Sequence, residues 1–401
     1  MARLFRISAI LTLVLLTLGA SISAFAQNEN PVVNQTVDYS FGEWIVFDAD
    51  LDPNLKVKQV QLVIDPRGEN NGTVHEAELR GSIHAQFVYE TSAEGAIRAF
   101  NNVDYYYLVT LESGQQLQSP DYNFFYIDNR FPWQVLPGDS FIIYWYQGDL
   151  SFGQAVLDTA RTSLDQIDQY VQLAPFQPVH IFVYAKSSDL RDALTLTGQT
   201  NWVAGHADPD LGIALVSIEP GPEQVLDMER QVPHEIAHLR LYQTLGDSYQ
   251  ALPAWLNEGL ASISELYPNP DYNLILSTAY DNQALLPLSA LCSSFPQDAA
   301  NATLAYAQSD SFIRFLYQGH GAAGLTRLMN DYANGESCEG GAQKSLGRTL
   351  TQLESDWRKA TFEENIFGAA LSYILPWIWF ILIFSISPII YFVLFWRKAK
   401  S

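Results

Sequence analysis

The strongest constraint on this chain lies near its end. Residues 365–396 contain no charged side chain, and 371–396 read LSYILPWIWFILIFSISPIIYFVLFW. About 20 apolar residues of helix span the hydrocarbon core of a bilayer. Pro376 and Pro388 would break a helix in water, but prolines are tolerated in membrane spans. Trp377, Trp379 and Trp396 suit the interfaces, and Arg397, Lys398 and Lys400 follow at once, a pattern that keeps that end in the cytoplasm. One transmembrane helix over 369–396 and a cytoplasmic tail over 397–401 are therefore expected. The other end agrees. Arg3 and Arg6 precede an apolar run over 7–18 and then Ala24-Phe25-Ala26, the layout of a cleaved signal peptide over 1–26. The sequence thus predicts a single-pass protein of the cell membrane with its N-terminal bulk extracytoplasmic.

With 401 residues, 48% of them hydrophobic, the chain can bury cores in more than one domain. Acidic residues number 44 against 22 basic ones, a net charge of −22. That balance excludes nucleic-acid binding, which needs cations to displace counterions from phosphates. Cys292 and Cys338 are the two cysteines of the chain. In an exported protein such a pair is expected to form a disulfide.

Residues 27–35 are polar and predict a loose start. From 36 to 129 short apolar–polar alternations over 44–47, 56–64, 83–89, 103–111 and 123–127 are separated by turn clusters such as Asp65-Pro66-Arg67-Gly68. This is the signature of an all-β antiparallel sandwich, similar in architecture to an immunoglobulin or fibronectin type III module. Beyond Arg130 the pattern changes. Strands are expected at 141–146, 179–184, 201–205 and 211–218, with helices at 152–173 and 187–194. Mostly helical periodicity follows from 223 onward. An α+β domain over 130–362 is the expectation.

Within it, residues 234–238 read His-Glu-Ile-Ala-His. Helical spacing puts His234 and His238 on one face, where they can converge on one metal ion, with Glu235 beside them. Pro233 marks a helix distortion just before them. Twenty positions after His238, Ala254-Trp255-Leu256-Asn257-Glu258-Gly259-Leu260-Ala261 begins a second helix. Glu258 would return to the pair, and two histidines with one glutamate form a catalytic zinc set with a fourth position open.

Here the sequence resembles the gluzincin metallopeptidases. Its wording PHEIAHLRLYQ … LPAWLNEGLA is most similar to the peptidase MA-like domains of bacterial exported proteins. The resemblance implies that Zn2+ is held by His234, His238 and Glu258. A zinc-activated water would hydrolyse a peptide or protein substrate, with Glu235 as general base. Tyr306, in a Y-x-x-S helix, is the implied oxyanion donor, and His320 is a further candidate. The acidic residue that thermolysin-like enzymes carry four places after the glutamate ligand is here Ser262. Either Ser262, Glu265 or Asp227 must then orient a ligand histidine. The strand before the metal helix, 212–218 by order, is implied as the cleft edge for an extended peptide, with His206 in the preceding turn. Two rival readings are a catalytically silent zinc-stabilised binding or sensor protein of the same fold, and an adhesion module acting through 36–129.

Overall fold

The computed structural model describes residues 30–68, 72–81, 83–91, 97–196 and 205–362, together with Leu375, Trp377, Trp379 and Phe380. The expected signal peptide lies outside the described residues. So do the tail and all but those four residues of the expected span; the four are helical with exposed side chains. No helix among the described residues is long and apolar enough to cross a membrane. The chain divides into two compact units, Met1–Arg130 and Phe131–Ser401.

The first unit is all β. Strands β1 (Val32–Ser40), β2 (Trp44–Leu51), β6 (His84–Glu90) and β5 (Glu78–Arg80) form one antiparallel sheet in the order β1-β2-β6-β5. The second sheet runs β4 (Thr73–Glu76), β3 (Val57–Pro66), β7 (Asn101–Leu111) and β8 (Gln116–Gln118), with β9 (Tyr122–Tyr126) also paired to β7. In β7 the period-two pattern buries Val103, Tyr105, Tyr107 and Val109. Phe47 of β2 meets Tyr105 of β7 and Phe124 of β9 at ring distances of 5.1 and 5.8 Å, so the two sheets face each other. The loose start expected over 27–35 is corrected in part. Strand β1 begins at Val32, and Asn34 and Gln35 pair with Asp50 and Ala49. Hydrogen bonds to β2 order these polar residues, a partner invisible to local periodicity.

The second unit is α+β. Its sheet has the order β10-β11-β12-β14-β13, from β10 (Gln134–Pro137), β11 (Phe141–Trp145), β12 (Val179–Tyr184), β13 (Gly205–Asp208) and β14 (Ile213–Ser217). Strands β11, β12 and β14 are parallel, and the outer two run antiparallel to their neighbours. Helix α1 (Leu150–Ile167) follows β11, and Asp149 caps it by accepting from the backbone of Ser151 and Phe152. Helix α2 (Ser187–Leu196) follows β12. After β14 come α3 (Gln224–Leu245), α4 (Ala254–Ile263), α5 (Tyr272–Asp281), α6 (Ala299–Ala333), α7 (Cys338–Leu346) and α8 (Leu350–Thr361).

Helix α3 stands between two cores. Met228, Val232, Ile236 and Leu239 pack with the sheet and α1, among them Ile143, Trp145, Val156 and Ile181. Ala237 and Leu241 pack into the helical half with Trp255, Leu260, Phe312 and Trp357. Its remaining face carries the histidines. Cys292 and Cys338 form the expected disulfide, closing a separation of 46 residues. The Cys292 carbonyl accepts from the Ala254 N–H at 3.0 Å, tying that region to the start of α4.

Candidate metal centre

A proline inside a helix cannot donate to the carbonyl four residues back. In α3 that carbonyl belongs to Glu229. It accepts instead from the backbone N–H groups of Leu266 (2.8 Å) and Tyr267 (3.2 Å). Helix α3 thus continues through Pro233 to Leu245, and the missing bond becomes a dock for the chain just after α4. That chain brings Glu265 to the site.

The Nε2 atoms of His234 and His238 lie 3.4 and 3.6 Å from Glu258 Oε2. All three ligand atoms are mutually within 4.8 Å. Ligands about 2.0–2.1 Å from a zinc ion at tetrahedral angles stand roughly 3.3–3.4 Å apart. The donor set, two imidazoles and a carboxylate, and its spacing therefore fit zinc. The electrostatics of the bare cluster fit a cation as well. Burial opposes the charge on Glu258, but the two imidazoles outweigh it and hold its pKa below the usual carboxylate range. Burial likewise opposes a charged His234, but Glu258 and Glu265 outweigh it and hold its pKa well above the ordinary histidine value.

Each imidazole is oriented from behind. His234 Nδ1 lies 3.1 Å from Glu265 Oε1, so Glu265 fills the place left open among Ser262, Glu265 and Asp227. His238 Nδ1 lies 3.2 Å from Asn257 Oδ1 and 3.2 Å from the Tyr249 hydroxyl. Asn257 Nδ2 in turn donates to that hydroxyl at 2.8 Å. Partners of this kind fix the ring orientation and tautomer of ligand histidines. The three residues Asn257-Glu258-Gly259 thus have three jobs. A Cβ on Gly259 would stand 2.5 Å from Ile313 Cγ1 and 2.8 Å from the Ser309 carbonyl. Only glycine lets α4 approach α6 this closely.

Glu235 is 6% exposed and lines a pocket with His234, Glu265, Tyr272 and Tyr306. Burial, the leading cause, raises its pKa, and the imidazoles of His234 and His238 pull it partly back. The backbone of Gly205 comes so near that a Cβ there would stand 2.3 Å from Glu235 Oε1. Tyr306, on α6, sits with its ring 6.0 Å from that of His234. Its pKa is pushed well up, first by burial and then by Glu258 and Glu235, so the phenol keeps its proton. His320 is exposed at a break in α6, where Gly321 takes φ 63°, and does not line the pocket.

The cleft edge differs from the expectation. Residues 213–217 form an interior strand, because β13 pairs outside them. Among the described residues the outer strand of the sheet is β13, with His206 within it and its Nε2 3.6 Å from Asp208 Oδ1. A short polar strand carries little periodic signal, so order along the chain pointed to the wrong neighbour. Tyr249 and Gly205 were also missed; nothing local marks either as a neighbour of the histidines or of Glu235.

A crystal structure of an M1 zinc metallopeptidase from Deinococcus radiodurans is similar at 11% identity and a TM-score of 0.38, over 79% of this chain and 90% of that one. A carbohydrate-binding module family 56 beta-1,3-glucan binding domain is similar at 11% identity and a TM-score of 0.17, over 23% of this chain and 95% of its own. No curated protein matches the chain. The sequence profile of the Peptidase MA superfamily matches residues 159–363, which include both helices of the metal cluster. A match over half of the chain settles the family: this chain belongs to the peptidase MA superfamily.

Proposed function

We propose that the chain is a membrane-anchored extracytoplasmic zinc metallopeptidase. The observation that carries this reading is the convergence of His234, His238 and Glu258 with the Glu235 carboxylate in the adjoining pocket. Zinc bound by those three side chains would supply a Lewis acid that polarises a peptide carbonyl and makes water acidic near neutral pH. The chain's own residues do the rest. Glu265, Asn257 and Tyr249 hold the two imidazoles in place. Glu235 takes the proton from the attacking water on its carboxylate and delivers it to the leaving amine nitrogen. The Tyr306 hydroxyl donates to the oxygen on which negative charge develops. Strand β13 receives an extended peptide along its outer side, main chain to main chain. The uncharged run over 369–396 anchors the enzyme, and the two-sheet unit, read as an immunoglobulin- or fibronectin-like module, acts as its spacer.

The test is metal content and peptide turnover of the purified chain, measured with and without chelator, beside Glu235→Gln. One equivalent of zinc and chelator-sensitive hydrolysis are expected. Glu235→Gln should keep the metal and lose about 10²–10⁴-fold in kcat/KM. Zinc without turnover on a broad peptide library would turn the reading into a silent, zinc-stabilised binding protein. Absence of zinc would remove the metallopeptidase reading altogether.

A further inference from the structure

Arg230 lies one helical turn before His234, so i and i+4 spacing puts it on the same side of α3 as the metal cluster. It lines the pocket that also holds His234, Glu235 and Tyr306. Its guanidinium carbon sits 5.6 Å from the centroid of the Tyr267 ring. Its Nε is buried with no hydrogen-bond partner. Elsewhere in this unit Arg240, Arg314, Arg348 and Arg358 each hold a carboxylate. Among the described residues Arg230 holds none.

Arg191 and Arg327 hold none either, but both are exposed, whereas Arg230 is half-buried in a pocket, in a chain whose 44 acidic against 22 basic residues make carboxylate partners abundant. Glu265 and Asp227 are near enough to feel its charge, but neither closes on it. Glu265, in the same pocket, gives Oε1 to the His234 ring, and its Oε2, buried without a hydrogen-bond partner, forms no ion pair with the guanidinium. A guanidinium is a planar fork of donors matched to a carboxylate, and a half-desolvated fork without an acceptor costs stability until one arrives.

We infer that Arg230 anchors a carboxylate subsite, so that the enzyme selects peptides with a carboxylate close to the scissile bond. The inference rests on the peptidase reading of the same site. One helical turn places Arg230 about 6 Å along the axis from His234. An extended peptide advances roughly 3.3 Å per residue, so the anchored group belongs to a residue within about two positions of the cleaved bond. An aspartate or glutamate side chain and the peptide's own C-terminal carboxylate share this chemistry.

The experiment uses the full zinc-loaded chain and matched quenched-fluorescence peptides. One arm exchanges glutamate for glutamine at each position within two of the scissile bond. The other compares free and amidated C-termini. In the wild type, kcat/KM should favour the carboxylate member of one arm by about ten- to hundredfold, and the arm that responds identifies the source. Arg230→Gln should bring the ratio close to one, and Arg230→Lys should leave an intermediate ratio. Equal rates for both members in the wild type would overturn the proposal. So would Arg230→Gln lowering both members by the same factor, which would mean that Arg230 only balances Glu265.

Calorimetric binding of the same peptides to Glu235→Gln reads the ratio without turnover. Carboxylate-selective, Arg230-dependent binding with no hydrolysis by the wild type would keep the subsite and sink the peptidase reading. Hydrolysis without that selectivity would do the reverse, and neither hydrolysis nor selective binding would sink both.

Discussion

At Pro233 a side chain that offers no ligand atom should tune the metal. Restoring an N–H with Pro233→Ala lets residue 233 compete for the Glu229 carbonyl that now accepts from Leu266 and Tyr267. An alanine inside a helix is favoured over proline by about 3 kcal/mol. The two displaced bonds would return roughly 1 kcal/mol each against it. The variant should therefore melt at or slightly above the wild-type temperature, yet bind zinc about tenfold more weakly, because Glu265 loses the dock that holds it on His234. Glu265→Gln should weaken zinc binding by a similar factor without the gain in melting temperature. Unchanged zinc affinity in Pro233→Ala, read by competition with a chromogenic chelator, would refute this role. The contrast with the ligands explains what the sequence could show. His234 and His238 are four apart on one helix, so local spacing alone makes them neighbours. Glu265 is joined to His234 through a carbonyl freed elsewhere, and the sequence offered it as one of three choices. Tyr249 depends on packing between elements and carries no local mark, while Arg230 shares a helix face with His234 by spacing but is left without a carboxylate only by the packing around it.

At the level of elements, the placement of Glu258 depends on how closely two helices approach. Gly259 faces Ile313 and the Ser309 carbonyl of α6 with no room for a Cβ. Of these two obstacles the carbonyl is backbone and cannot rotate aside. Gly259→Ala should cost about 1–3 kcal/mol of stability by overpacking. By pushing α4 off α6 it should also draw Glu258 away from the histidines and weaken zinc binding. Calorimetry and metal titration on the variant read both effects, and a variant that melts and binds zinc as the wild type does would show that the contact is not limiting. The strands were legible where burial is one-sided, as in β7, whose alternation shows directly in Val103, Tyr105, Tyr107 and Val109. They were illegible where hydrogen bonds to a neighbour do the ordering. Strand β1 is mostly polar, and β13 has four half-buried residues of mixed type. Placing β13 outside β14 needed the sheet order, which depends on pairing across the chain.

For the whole molecule, both units place tyrosines where ionisation is unfavourable. In the first, burial chiefly, then neighbouring tyrosines, raises the pKa values of Tyr105 and Tyr107. In the second, burial raises those of Tyr249, Tyr272 and Tyr332. An unfolded chain would ionise these phenols near pH 10, while the folded chain retains their protons. Above pH 10 the native state therefore binds more protons than the unfolded one, and stability falls as pH rises. Below pH 10 both states hold the protons and the contribution is complete. Each such group can contribute a slope of at most about 1.4 kcal/mol per pH unit. Melting temperature should thus be insensitive to these tyrosines through neutrality and drop steeply between pH 10 and 12. Tyr107→Phe should blunt the drop for the first unit, since the Tyr107 hydroxyl is buried with no hydrogen-bond partner and its removal leaves no acceptor stranded. Chelator should not reproduce that protection, because the ligands all belong to the second unit. If Tyr107→Phe and the wild type lose structure along the same curve above pH 10, with tyrosinate absorbance rising before unfolding, the phenols are not what limits the fold in alkali.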